Sequence, residues 1–204
     1  MLISQLISDP ILFFIILISL IIAFSVHEYF HAFAAYRLGD PTAKFQGRLT
    51  LNPISHIDPL GFILLLFLGF GWAKPTPVNP FNFSNKRWGS LYVSIAGPLS
   101  NFGMAIFAGL ILHFGFLTSE LSINFLVSFV YINVLLGVFN LLPFAPLDGF
   151  HIFTSLFRPE RFSHYTLLLA NPFMVIIAVF LMMWVMIDYV VKPITRILTG
   201  DLLF

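Results

Sequence analysis

Cysteine is absent from the 204 residues, which excludes disulfides, thiolate metal sites and a cysteine nucleophile and leaves the redox compartment open. Charge is nearly as scarce. Lys, Arg, Asp and Glu together make up 9% of the chain, against about 25% in an ordinary soluble domain. Too little polar surface remains to keep such a protein in water. The net charge is +1, so no basic face argues for nucleic acid and no acidic substrate is implied. Residues 1–8 hold no Lys or Arg, and no small-residue cleavage site follows. The opening apolar run is therefore expected to stay as a membrane helix rather than leave as a signal peptide. Internal repeats and low-complexity tracts are missing too.

What the chain has in abundance is apolar bulk. Hydrophobic residues make up 59% of it, with 26 phenylalanines, and the mean hydropathy is +0.96. This predicts an all-α polytopic membrane protein with about four full transmembrane helices, expected at residues 10–36, 91–117, 121–142 and 165–191. Residues 60–71 are apolar but too few to cross a core of about 30 Å, which predicts a re-entrant or interfacial segment. Residues 44–51 alternate well enough to predict a short β-strand or hairpin on the cytosolic side. A short helix is expected at 149–157 and a small amphipathic tail at 192–204. The segment 37–90 leaves no room for an inserted globular domain of ordinary size. Residues 1–204 thus read as one integral membrane domain, with a core at about 10–157 and a C-terminal helix and tail at 165–204.

The basic residues set an orientation. Arg37, Lys44, Arg48, Lys74, Lys86 and Arg87 lie between the first and second spans, and Arg158 and Arg161 between the third and fourth, whereas the loop near Glu120 has none. The positive-inside rule places both basic loops in the cytosol and the N-terminus outside. Lys192 and Arg196 fall on the outer side in this arrangement, against the trend.

At the cytosolic end of the first span stands His27-Glu28-Tyr29-Phe30-His31, after a stretch, 11–26, without a single charge. On a helix His27 and His31 are ~40° apart in rotation and ~6 Å apart in rise, so both imidazoles reach one zinc from the same face. Glu28 lies near that face, where it can take a proton from a zinc-activated water. The chain holds six histidines and three glutamates, so a chance match is improbable. The competing reading is two core histidines beside a buried Glu, but an intramembrane Glu is costly without a purpose. A catalytic zinc takes a third protein ligand. Two crossings later the chain returns to the same side at Phe144-Ala145-Pro146-Leu147-Asp148-Gly149, provided 60–71 does not cross. Asp148 is the best third ligand, although Asp-Gly is in isolation an ordinary turn pair.

Three segments together resemble the signatures of the site-2 protease family of intramembrane zinc metalloproteases: His27-Glu28-x-x-His31, Ala96-Gly97-Pro98-x-x-Asn101, and Asn140-Leu-Leu-Pro143-Phe-Ala-Pro146-Leu-Asp148-Gly149. Gly47-Arg48-Leu-Thr-Leu-Asn52-Pro53 and His56-Ile-Asp58-Pro59-x-Gly61 are similar to the short prokaryotic branch without a PDZ domain. The resemblance covers nearly the whole chain. It implies one Zn2+ per chain held by His27, His31 and Asp148, Glu28 as general base, and Asn140 holding substrate or the oxyanion near the metal. Implied substrates are transmembrane proteins or peptides, cleaved within or near their spans in the cytoplasmic membrane, with the active site toward the cytosol. The family often has Pro where this chain has Ala145, which bears on the rigidity of that turn.

Other polar residues stay open between two readings. His56 is a gate or auxiliary ligand, or an interfacial histidine bonded to backbone, the second being favoured. His151 either orients the Asp148 carboxylate or lies on a helix surface. His113 reads as structural, His164 as a solvated loop residue, and Asn133 as hydrogen-bonding glue between helices. An unwound substrate segment could be held as a strand added to residues 44–51. The alternative function is a membrane zinc carrier or a non-catalytic metalloprotein. A carrier would be expected to show further acidic or histidine positions across the bilayer, whereas here only His113 lies apart.

Overall fold

The computed structural model describes residues 2–69, 71–157 and 172–200. Its first helix, α1 (Leu2–Ser8), ends where Asp9 caps α2 (Pro10–Arg37): the Asp9 carboxylate accepts from Leu12 N–H, and Pro10 opens the helix without needing a donor. The 28 residues of α2 give a length of about 42 Å, enough to cross and extend beyond a bilayer core. Helix α5 (Lys86–His113) is capped by Asn85, and α6 (Glu120–Asn140) follows a turn at Gly115. Helix α7 (Asp148–Leu156) follows after a turn of seven residues, 141–147, and packs closely against it. Gly149 permits this: a Cβ there would collide with the carbonyls of Leu141 and Leu142. Asp148-Gly149 is thus the first turn of a helix rather than a free turn.

Two short helices lie between α2 and α5. They are α3 (Thr42–Phe45) and α4 (Pro59–Leu68). The expected strand at 44–51 does not form. Isolated alternation carries no strand without a partner for its backbone groups, and local partners win here. The Asp40 carboxylate accepts from the N–H and hydroxyl of Thr42 and starts a helical turn. Gly47 N–H and Arg48 N–H donate back to Lys44 and Ala43, with Gly47 at φ +68°. The one bridge among the described residues joins Ile57 to Ala73, and there is no sheet. The expected re-entrant or interfacial segment is a ten-residue helix, capped by Asp58 and closed by Gly69 at φ +80°. Its length rules out a crossing; a path into the membrane and back gains no support beyond that.

Helices α2, α5 and α6 pack on one another and α7 packs on α5. Ala105, Ala108, Val130, Val134 and Val138 form the α5–α6 seam, and Ala23, Ile132 and Leu136 the α2–α6 seam. The fourth long helix comprises α8 (Pro172–Met186), a π-turn (Ile187–Val191) and α9 (Lys192–Thr199). It runs beyond the expected end at Val191, the wide turn preceding Pro193, which has no N–H to give. The residues expected as a separate tail therefore continue the span as far as Thr199. Among the described residues four helices are long and apolar enough to cross a membrane: α2, α5, α6 and Ile177–Thr199. The expected turn at Arg158 and Arg161, His164, the start of the fourth span before residue 172 and the tail after residue 200 lie outside the described residues.

Candidate metal centre

His27 and His31 lie on one face of α2 near its C-terminal end, and both are buried. Helix α5 presses against them at Gly97, where a Cβ would clash with both Nε2 atoms. Each imidazole is held from behind. His27 Nδ1–H donates to Asn101 Oδ1 at 2.6 Å, and His31 Nδ1–H donates to the carbonyl of Val93 at 2.7 Å. The Asn101 amide is oriented in turn, its Nδ2 donating to Ala23 O and to Asn133 Oδ1. Asn133 donates to Phe129 O, so three helices share this chain of bonds. Because both acceptors at Nδ1 are oxygens, both Nε2 atoms carry lone pairs.

Those lone pairs face each other at 2.9 Å, and Asp148 Oδ2 completes the triangle at 3.1 Å from His27 and 3.2 Å from His31. Asp148 Oδ2 is buried and has no hydrogen-bond partner. A cation shared among the three would satisfy all of them at once. Ligands around a tetrahedral zinc at 2.0–2.1 Å stand about 3.3 Å apart, close to the spacing found. His27, His31 and Asp148 are the group able to hold a metal ion among the described residues. The donor set, two imidazoles and a carboxylate, suits zinc.

Helix α7 brings the carboxylate there. Its C-terminal carbonyls, Ser155 and Leu156, accept from the guanidinium of Arg87 at the start of α5. Its first residue, Asp148, is thereby held over the two histidines. Glu28 shares with the triad a cavity of about 710 Å³, lined also by Phe24, Trp72, Thr76, Asn140 and His151. Glu28 Oε2 accepts from Thr76 N–H at 2.8 Å, and its backbone carbonyl accepts from the Thr76 hydroxyl at 3.0 Å. Asn140 Nδ2 donates to Leu136 O at 3.0 Å and has a second N–H to offer. His151 is exposed on the cavity wall and makes no hydrogen bond to the Asp148 carboxylate. His56 lies apart from this cavity. It is 1% exposed, its Nε2–H donates to Thr50 O at 2.7 Å, and it borders a separate void of about 30 Å³ between α2 and α4. His113 ends α5 and is not near the triad.

Two charged groups of the 38–58 loop are buried. Burial would raise the Asp40 carboxyl, but hydrogen bonds from Thr42, Asn79 and Asn82 outweigh it and hold the group below the ordinary carboxylate range. Burial pushes the Arg48 guanidinium down from its ordinary value, and the charge of Glu28 opposes this. Sequence reasoning gave neither a buried role, nor did it single out Thr76. It quoted Asn101 only as part of a motif. The available signals were an Asn one turn after a Gly-Pro pair and a threonine between two prolines.

Residues 115–185 match the family model described as Peptidase family M50. Over 173 residues, 81% of this chain and 79% of the relative, the sequence is 43% identical to "Putative zinc metalloprotease YwhC" of Bacillus subtilis (strain 168). It is 32% identical over 159 residues to "Putative zinc metalloprotease Rip2" of Mycobacterium tuberculosis (strain ATCC 25618 / H37Rv), covering 72% of this chain and 59% of that one. The Rip2 protein of Mycolicibacterium smegmatis is 29% identical over 154 residues, with the same coverage. No solved structure matches the chain significantly.

Proposed function

The chain belongs to peptidase family M50, the site-2 protease family, and from that premise we propose that it is an intramembrane endopeptidase. It is a zinc metalloprotease built on helices able to span a membrane. The finer reading is hydrolysis of peptide bonds within or near the transmembrane segments of other membrane proteins. The observation that carries it is the meeting of His27, His31 and Asp148 beside Glu28, in one cavity walled by membrane-length helices.

His27, His31 and Asp148 would hold the zinc, which supplies Lewis acidity and makes water a nucleophile near neutral pH. Glu28 takes the proton of the attacking water and passes one to the leaving amine. Asn140 uses its free N–H to hold the substrate carbonyl or the developing oxyanion. Phe24, Leu65, Trp72, Leu136 and Phe139 in the wall exclude bulk water and accept apolar side chains. The substrate has to unwind locally before attack, because a helix hides its carbonyls in internal bonds. The whole chain acts as one domain, with the basic loops and the site toward the cytosolic face of the cell membrane.

The test is cleavage of a panel of single-pass transmembrane substrates by purified wild type and Glu28→Gln, with products mapped by mass. Wild type is expected to cut inside the spanning segments, and Glu28→Gln to bind zinc but lose at least about 10²-fold in turnover. Cleavage confined to soluble substrates, or equal cleavage by both proteins, would overturn the reading.

A further inference from the structure

We propose that Thr76 is a positioning residue for the general base, and that residues 74–79 form a strap whose function is to hold Thr76 against Glu28. This rests on the assignment of Glu28 as the base. Glu28 follows His27 by one residue, about 100° around the helix, so its carboxylate flanks the triad rather than facing it. A free glutamate would sample several rotamers there and lose that freedom on being held. Two hydrogen bonds to one residue, one at Oε2 and one at the backbone carbonyl, fix the carboxylate relative to its own helix. Oε1 is left for the water that it must activate.

The local sequence suits this task. In Pro75-Thr76-Pro77 neither proline has an N–H, so Thr76 offers the only backbone donor of the three. The prolines also restrict the backbone on both sides of it. The strap is then tied at both ends. Lys74 N–H donates to His56 O at 2.8 Å, and Lys74 O accepts from the Arg48 guanidinium. At the other end Asn79 N–H donates to Asp40 Oδ2 at 2.7 Å, and Asn82 Nδ2 donates to Asp40 Oδ1 at 2.7 Å. Asp40, Arg48 and His56 are 0%, 5% and 1% exposed. Burying ions is costly unless they are paired and hydrogen-bonded, and the mechanism itself uses none of these groups. Their shared product is a strap that does not move at Thr76.

The test compares Thr76→Val and Thr76→Ser in the wild-type and Glu28→Asp backgrounds. It uses the purified full chain, a transmembrane peptide that wild type cleaves, and zinc content as a readout separate from activity. Valine keeps the N–H and the shape but removes the hydroxyl anchor. Thr76→Val is expected to keep one zinc and its KM, and to lose roughly 10- to 100-fold in kcat. Serine should restore kcat to within about threefold. In Glu28→Asp, whose shorter carboxylate no longer reaches Thr76, the valine substitution should add less than about twofold. Wild-type kcat in Thr76→Val, a loss confined to KM or zinc, or an equal loss in the Glu28→Asp background would each overturn the proposal. If Thr76→Val does not accumulate, Thr76→Ala replaces it with the same expectations. A Glu28→Gln protein that still cleaves would sink the base assignment itself, whereas an inactive Glu28→Gln with a normal Thr76→Val sinks only the positioning role.

Discussion

Helices α2, α5 and α6 are as apolar as the fourth long helix, yet they use their apolar residues in opposite ways. In the most apolar window of α5 and of α6 44% of residues are buried, and in α2 33%, against 6% in Ile177–Thr199. Polar side chains divide along the same line. The first three helices bury His27, Glu28, His31, Ser94, Asn101 and Asn133, all at or around the metal centre. In the fourth, Asp188 and Lys192 pair with each other at 2.6 Å on a half-exposed face, and Thr195 and Thr199 bond back to their own helix. Hydropathy therefore finds a spanning helix but does not say whether it faces protein or lipid. The amides and imidazoles that interrupt it do. The candidate metal ligands lie on α2 and α7, and the fourth long helix packs on α5 and α6 and contributes Met183 to the cavity wall.

Substitutions in the two regions should differ in their effects. The largest effect is expected at Asn101, which orients His27 and bonds to Asn133 across the α5–α6 seam. Asn101→Leu, similar in shape, should weaken zinc binding by about 10- to 100-fold, read by competition with a chelator. Unchanged affinity would show that the amide chain serves packing alone.

A smaller effect is expected from the loop side of the site. Asp40→Asn should cost about 2 kcal/mol, since four hydrogen bonds converge on a buried carboxylate. The sign of its pH dependence follows from the depressed folded pKa. The contribution is fully present above the unfolded value of about 3.9 and is lost as pH falls through the lower folded value. Thermal melts followed by tryptophan fluorescence should show the gap between wild type and variant closing below about pH 4. A gap that persists there would refute the charge-based account. The smallest effect belongs to the fourth helix: Asp188→Asn with Lys192→Gln should leave zinc content and turnover unchanged. A loss of zinc in that double variant would mean that the fourth helix shapes the centre after all.

Much of this was legible in the sequence. The spacing of His27 and His31 follows from helical geometry alone, and the return of the chain at Asp148 followed from counting crossings. Span boundaries moved by a few residues where caps decided them. Asn85 caps α5, which starts five residues before the expected Leu91, whereas α6, with no side-chain cap, starts one residue before the expected Leu121. The failures share a cause. Residues 44–51 alternate like a strand, but Asp40 and Gly47 supply local turns that periodicity does not register. Asp40, Arg48 and Thr76 also find partners 39, 26 and 48 residues away, which their own neighbourhood does not reveal. Long-range hydrogen bonds decide which polar loop residues are buried, and they exist only once the helices have packed.

Three packed helices and α7 bring His27, His31 and Asp148 together as a candidate zinc centre. X-ray absorption at the zinc edge, on purified wild type and Asp148→Ala, addresses it most directly. The account predicts one zinc per wild-type chain with two imidazole nitrogens and oxygen donors at about 2.0–2.1 Å, and loss of the metal or of an oxygen donor in Asp148→Ala. A wild-type zinc spectrum without imidazole, or one unchanged by the Asp148 substitution, would contradict it.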